Sequence, residues 1–352
     1  MIAKRDDNFT IPLFSSVSGV VKEILVEPHS YLLPLQHIVI TNDKRYDEEL
    51  LGTIDYTGAT RQELVDYMMN AGIIGCGGAG FPSYVKYKFA KDVKALIINA
   101  VECEPYITAD ARMIETYLDD LLIGVQAMRK MAEAPKAVIA IKKTKKALIQ
   151  QVSAAVSAVE NIEVLAVPDV YPMGWERTLV FEVMKRHYDR LPGEVGAVVN
   201  NASTAIAFAR AMQGHVIAEK IVTVSGDGIA RPANVAVRVG TSAKRIVEAL
   251  GGYSQPEVFM IFGGPMMGKT ADSDEVVITP YTNAITLLKP VKRNTIACLR
   301  CGSCNDHCPA GILPVRINEA YKRNDIHALE KLNAGRCIQC GLCTYVCPSN
   351  IE

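Results

Sequence analysis

The sequence is poor in tryptophan, with one, and in histidine, with six, and it carries no net charge: Lys plus Arg and Asp plus Glu both number 38. A zero balance argues against a nucleic-acid binder, which carries a basic excess, and against an acidic disordered tail. No run approaches about 18 uninterrupted apolar residues, so no membrane-spanning helix is predicted. The opening MIAKRDDNFT lacks the apolar stretch of a signal peptide. The expectation is a cytoplasmic protein without direct membrane insertion. With 352 residues, 49% hydrophobic and 22% charged, the chain has core material for about two to three domains.

Cysteine is almost missing from residues 1–297, which hold only Cys76 and Cys103. The other eight read CLRCGSCNDHCP and CIQCGLCTYVCP, two copies of the bacterial ferredoxin spacing for [4Fe–4S] clusters. Three closely spaced thiolates fit three irons of one cubane, and the fourth, before proline, reaches the other. Cys298, Cys301, Cys304 and Cys347 are therefore expected to hold one cluster, and Cys337, Cys340, Cys343 and Cys308 the second. Disulfides would be reduced in the cytoplasm, and zinc more often takes paired CxxC motifs or histidines. INEAYKRNDIHALEKL between the motifs reads as two short helices.

Ahead of the cysteines, residues 10–45 read as short strands forming a small sandwich. RQELVDYMMNAGI (61–73) has helical spacing. The strands ALIINA (95–100), KAVIAI (136–141), IEVLAVP (162–168) and GAVVNN (196–201) alternate with helices near 110–132, 144–159, 175–188 and after 201. This alternation predicts an α/β unit with a mostly parallel sheet and a ligand at its carboxyl end. KIVTVSGDGIARPANVAVRVG, SAKRIVEALGG and VFMIFGG predict a strand pair, a helix and a strand, an α+β unit of β-grasp type. Residues 270–297 are weakly patterned.

Two segments carry candidate chemistry. Gly75-Cys76-Gly77-Gly78-Ala79-Gly80-Phe81-Pro82 lets the backbone approach a flat or phosphorylated ligand, with Lys86 as a cation for a phosphate. From spacing alone it reads equally as a tight surface loop, and it is neither a Walker A nor a GxGxxG sequence. Asn99, Glu102 and Glu104 follow the buried strand where a ligand would lie, although either acid also reads as a solvated loop charge. The lysines at 142, 143, 145 and 146 read as a solvated face, His307 as a residue outside the cluster ligands, and GGPMMG (263–268) as a turn.

These residues, together with Tyr171-Pro-Met-Gly174-Trp-Glu176, Asn200-Asn201 and the double ferredoxin tail, resemble the C subunit of Rnf-type electron transport complexes. More distantly they resemble the flavin subunit of respiratory complex I. The resemblance implies a Rossmann-like flavin domain (49–217) with a small N-terminal β sandwich (1–48), a soluble-ligand-binding β-grasp domain (218–290) and a two-cluster ferredoxin domain (291–352). It implies FMN over Gly75, Gly77, Gly78 and Gly80, with Lys86 near its phosphate and Asn99 and Glu102 on the ribityl chain or ring edge. Phe81, Glu104, Tyr171 and Glu176 would border NADH, and Asn200, Asn201 and Thr204 would close the phosphate end. Electrons would pass from NADH through FMN and two [4Fe–4S] clusters to a partner, or in reverse. The implied partners are Rnf subunits, a ferredoxin or flavodoxin, or a reductase, at the inner face of a membrane.

The pattern departs from complex I at Val101 and Cys103, where an acid and a glycine are expected. Trp175 stands where Rnf subunits tend to have glycine, either narrowing the pocket or packing on the sheet. The family usually continues beyond the end of this chain. Cys76 reads either as a small apolar filler or as a catalytic redox thiol beside the flavin. The second option supports a rival function: a relay to a dedicated reductase, such as a proline reductase, without direct NADH oxidation.

Overall fold

The computed structural model describes residues 1–4, 9–30 and 33–351. Near the N-terminus, β1 (Gly19–Glu27) and β2 (Leu35–Asn42) pair as an antiparallel hairpin with a register shift between Val21 and Glu23. The sandwich expected from the sequence is reduced to this hairpin. No second layer covers it among the described residues, and Val20, Ile24 and Val26 stand 72, 61 and 65% exposed. Two strands offer too few inward side chains to close a core. Tyr31 and Leu32, inside the expected sandwich, lie outside the described residues.

Thr60 starts α1 (Arg61–Asn70) with a capping box, in which the Thr60 side chain and the Glu63 carboxylate satisfy each other's backbone N–H. The glycine loop follows, then α2 (Tyr84–Lys88) and the first central strand, β3 (Ala95–Ala100). The single helix expected over 110–132 is two, α3 (Ala109–Thr116) and α4 (Leu118–Ala132). They divide at Tyr117, which adopts φ −128° and ψ 48° and carries the Arg210 guanidinium 4.8 Å from its ring centre. The chain then alternates β4 (Ala137–Lys142), α5 (Lys146–Val156), β5 (Ile162–Val167), α6 (Glu176–Met184), β6 (Ala197–Asn201) and α7 (Ala202–Met212).

The four strands are parallel in the order β5-β4-β3-β6. Alternation sorts their side chains onto two faces. Leu96, Ile98, Ile139 and Val198 pack with α1, α4 and α7, while Ile97, Ala140 and Val199 pack with Leu179 and Val180 of α6. The crossing of α4 and α7 is close because residue 124 is glycine: a Cβ there would sit 2.0 Å from the Ala205 carbonyl oxygen. The chain moves outward from β3 to β5 and then crosses back to β6, so the topological switch point lies between β3 and β6.

A second sheet holds β7 (Glu219–Ser225), β8 (Ala233–Arg238), β9 (Phe259–Phe262), β10 (Lys269–Ala271) and β11 (Ala284–Leu288) in the order β10-β9-β11-β7-β8. Its one helix, α8 (Ala243–Ala249), packs Ile246 and Val247 against Val222, Val224 and Ile285. The weakly patterned stretch after 270 therefore contains the central strand β11, parallel to β7 and antiparallel to β9. A strand buried on both faces shows no alternation, and that hid it.

The tail carries α9 (Ser303–Asp306), α10 (Pro314–Lys322), α11 (Ile326–Lys331) and α12 (Leu342–Tyr345). The helix pair between the two cysteine motifs is present as α10 and α11. Among the described residues no helix is long and apolar enough to cross a membrane.

Candidate functional site

The glycine loop closes on itself at the switch point. Gly75 N–H donates to Phe81 O at 2.8 Å and Gly80 N–H to Gly75 O at 3.1 Å. Between these bonds, Gly77, Gly78 and Ala79 are exposed, and their N–H groups have no partner among the described residues. Consecutive free N–H groups make a cradle for an anion or an electron-rich ring edge. Two of its positions are tight for anything larger than hydrogen: a Cβ on Gly77 would lie 2.8 Å from Asn201 Nδ2, and one on Gly80 2.9 Å from the Tyr281 ring. Lys86 donates to Val199 O of β6 at 2.6 Å, with Glu176 at 4.0 Å. Burial pulls its ammonium below the usual range, against the Glu176 charge.

The other expected site residues bond mainly to the protein itself. Asn99, at the end of β3, donates to Gly174 O at 2.7 Å and accepts from Val101 N–H at 3.1 Å. Glu102, with φ +44°, accepts from Asp110 N–H at 2.6 Å and Ala111 N–H at 3.0 Å, at the start of α3. Glu104 accepts from the N–H groups of Met266 (3.2 Å) and Met267 (2.8 Å). Both acids thus bond to backbone. Glu176, opening α6, accepts from the Tyr188 hydroxyl at 3.2 Å. Phe81 is 42% exposed.

Asn201 caps α7 by accepting from Thr204 N–H at 3.3 Å, and its amide donates to Asp110 Oδ2 at 2.5 Å. Asn200 is buried and donates to the Tyr87 hydroxyl. Thr204 is buried too, its hydroxyl accepting the Cys76 N–H at 2.9 Å. Cys76 is 3% exposed and its thiol donates to Ile74 O at 3.4 Å. Burial pushes that thiol up, against the pull of Lys220 and Thr204. A thiol held protonated and enclosed is a poor nucleophile, so this environment matches the small apolar filler of the two sequence readings. Cys103 sits under Gly174, where a Cβ would approach its sulfur to 3.1 Å.

The tail brings thiols of the two motifs together. Cys298, Cys301 and Cys304 of the first motif and Cys347 of the second line one cavity of about 420 Å³. Burial raises the Cys340 thiol, and the charges that add to it come from Cys343, Cys308 and Cys337, the other expected set. Among the described residues no three His, Cys, Asp or Glu side chains close on a single ion. Four thiols spaced around a cavity, drawn from both motifs, fit a polynuclear cluster.

Several neighbours escaped the sequence. Asp110 and Ser203 are buried together, 2.5 Å apart, and neither stands in a motif. Met266 and Met267 belong to the turn that meets Glu104. Lys220 did leave a signal: it shares the core-facing side of β7 with Val222 and Val224.

Comparison with known proteins agrees with this architecture. A Nuo51 FMN-binding domain model matches residues 68–210, and a 4Fe-4S dicluster domain model matches 290–348. The chain is similar to the C subunit of the proton-translocating ferredoxin:NAD(+) oxidoreductase complex of Clostridium ljungdahlii, with 34% identity over 89% of this chain and 71% of that protein. The C subunit of the ion-translocating oxidoreductase complex of Rhodobacter capsulatus is 33% identical over 94% of this chain and 66% of its own length. The corresponding C subunit of Yersinia pestis is 32% identical over 88% of this chain and 52% of its own; the chain thus spans about half of that relative. A solved NAD+-reducing [NiFe]-hydrogenase shares the fold, with a TM-score of 0.54 at 23% identity, over 64% of this chain and 46% of that one. A cradle at the switch point and two thiol sets thus stand in one chain, which belongs to the family of C subunits of ion-translocating oxidoreductase complexes.

Proposed function

We propose that the protein carries electrons between NADH and a partner protein through FMN and two [4Fe–4S] clusters. The observation that supports this reading is the bond from the Tyr171 hydroxyl to the Cys340 carbonyl (2.6 Å), which joins a residue expected to border the nicotinamide to the loop of the second cysteine motif. Bound flavin would supply the exchange between a two-electron hydride carrier and one-electron clusters. The chain's part is to bind and align. Gly77, Gly78 and Ala79 offer N–H groups, Lys86 offers a cation, and Phe81, Glu104, Tyr171 and Glu176 border the space for a nicotinamide.

Within this reading, residues 1–48, 49–217, 218–290 and 291–352 are four domains, the third a soluble-ligand-binding β-grasp unit. The partners are the other subunits of a membrane complex or a soluble ferredoxin, and the chain sits on the inner membrane face through them. The test is anaerobic: reconstitute with FMN, iron and sulfide, add NADH, and follow flavin and cluster absorbance. Rapid bleaching of both is expected. Clusters that bleach with dithionite but not with NADH would replace this reading with a relay that lacks the NADH step.

A further inference from the structure

We infer that Lys220 is a positioning residue for the flavin, holding the Cys76–Gly77 peptide from behind so that the Gly77 N–H faces the cleft. The inference rests on the flavin reading above and adds a residue outside the stretch that resembles an FMN-binding domain, which ends at 210.

Lys220 projects from β7 of the second sheet into the back of the glycine loop. Its buried ammonium donates to Cys76 O and to Pro280 O, each at 3.0 Å. A peptide unit is planar and trans, so its C=O and N–H point in opposite directions. A Cys76 carbonyl drawn inward to Lys220 therefore turns the next N–H, that of Gly77, outward into the exposed cleft. The Thr204 hydroxyl accepts the Cys76 N–H, so the preceding peptide is held as well and Cys76 is fixed at both its N–H and its C=O.

A lysine is a costly way to fill this position, because a buried ammonium loses its hydration and a methionine would pack the same space. Burial pulls Lys220 down, and the charge of Asp110 opposes that. Asp110 in turn receives bonds from Asn201 and Ser203, and Asn201 lies directly against Gly77. The loop thus lies between Lys220 of the second sheet and Asn201, whose amide Asp110 of α3 holds. Pro280 leads to Tyr281, whose ring packs against Gly80, so one lysine ties both ends of the cradle to the second sheet. A cavity of about 530 Å³ behind the loop, with Cys76, Ser203 and Lys220 in its wall, leaves room for a substituted side chain without overpacking.

The experiment compares wild type, Lys220→Met and Lys220→Gln in the full chain with clusters reconstituted. FMN affinity is read from flavin fluorescence quenching and the flavin midpoint potential by redox titration. Iron content and thermal melting report the fold. Lys220→Met is expected to weaken FMN about ten- to a hundredfold, the effect of losing one or two oriented hydrogen bonds, with iron content unchanged. Lys220→Gln, which donates without charge, is expected to recover part of the affinity while the midpoint potential stays below that of wild type. A folded Lys220→Met that binds FMN as wild type does, at the same potential, overturns the inference. If Lys220→Met fails to fold, wild-type affinity and potential in Lys220→Gln do the same. Failure of the wild-type chain to bind FMN instead removes the flavin reading itself.

Discussion

The Tyr171 hydroxyl donates a 2.6 Å hydrogen bond to the backbone carbonyl of Cys340, joining the segment ahead of α6 to the loop of the second cysteine motif. A second contact runs beside it. Gly341 packs so closely on Met266 that a Cβ would sit 2.8 Å from the Met266 carbonyl oxygen, and Met266 N–H is bonded to Glu104. Tyr171, Glu104, the Met266 turn and the loop of the second cysteine motif therefore meet in one place. Cys340 is 8% exposed there, whereas Cys298 and Cys301 of the first motif are exposed.

Tyr171→Phe removes that bond and leaves the ring. A stability loss of about 1 kcal/mol is expected, seen as a lower urea midpoint. In the reconstituted protein, NADH-driven cluster bleaching should slow while flavin bleaching does not. Unchanged bleaching rates would mean that the bond only holds the parts together.

The shared cavity predicts which thiols act together. Cys347→Ser should abolish the same cluster as Cys298→Ser, halving iron from about eight to about four per chain, and the double variant should lose no more. Cys308→Ser should abolish the other cluster. Electron paramagnetic resonance of the reduced variants checks this. If Cys347→Ser removed the signal that depends on Cys337, the assignment across motifs would be wrong.

Burial and then the Asp110 charge push Glu102 up to about 7, against the pull of two backbone N–H groups. The unfolded chain releases this proton near pH 4.5, the folded chain near 7. Between those values the folded state binds more protons, so stability falls as pH rises through that window. The loss is on the order of 3 kcal/mol. Asp110→Asn removes one cause of the shift, so urea midpoints from pH 4 to 8 should decline less and over a lower range. A decline identical to wild type would rule out the coupling.

Gly124→Ala tests the crossing of α4 and α7. The added methyl would sit 2.0 Å from the Ala205 carbonyl oxygen, and overpacking at such a contact costs about 1–3 kcal/mol. Gly193→Ala, where nothing lies within 4 Å of the new atom, should change stability little. Equal melting temperatures for the two variants would show that the helices separate freely.

Local pattern by itself determined the parallel sheet, the double cluster motif and the glycine loop. The alternation of β3 to β6 with helices is a short-range signal, and the cluster spacing is written in consecutive residues. The sequence also singled out Asn99, Glu102 and Glu104, at and just after the end of β3. Tertiary structure decided what they do there, because their hydrogen bonds go to Gly174, to α3 and to Met266 and Met267, partners up to 163 positions away. The same holds for β11, whose place at the centre of the second sheet depends on β7 and β9 closing over it. Lys220 is 144 positions from the carbonyl it holds. An ammonium's partner at that distance is set by how two sheets pack, which no periodicity along the chain records.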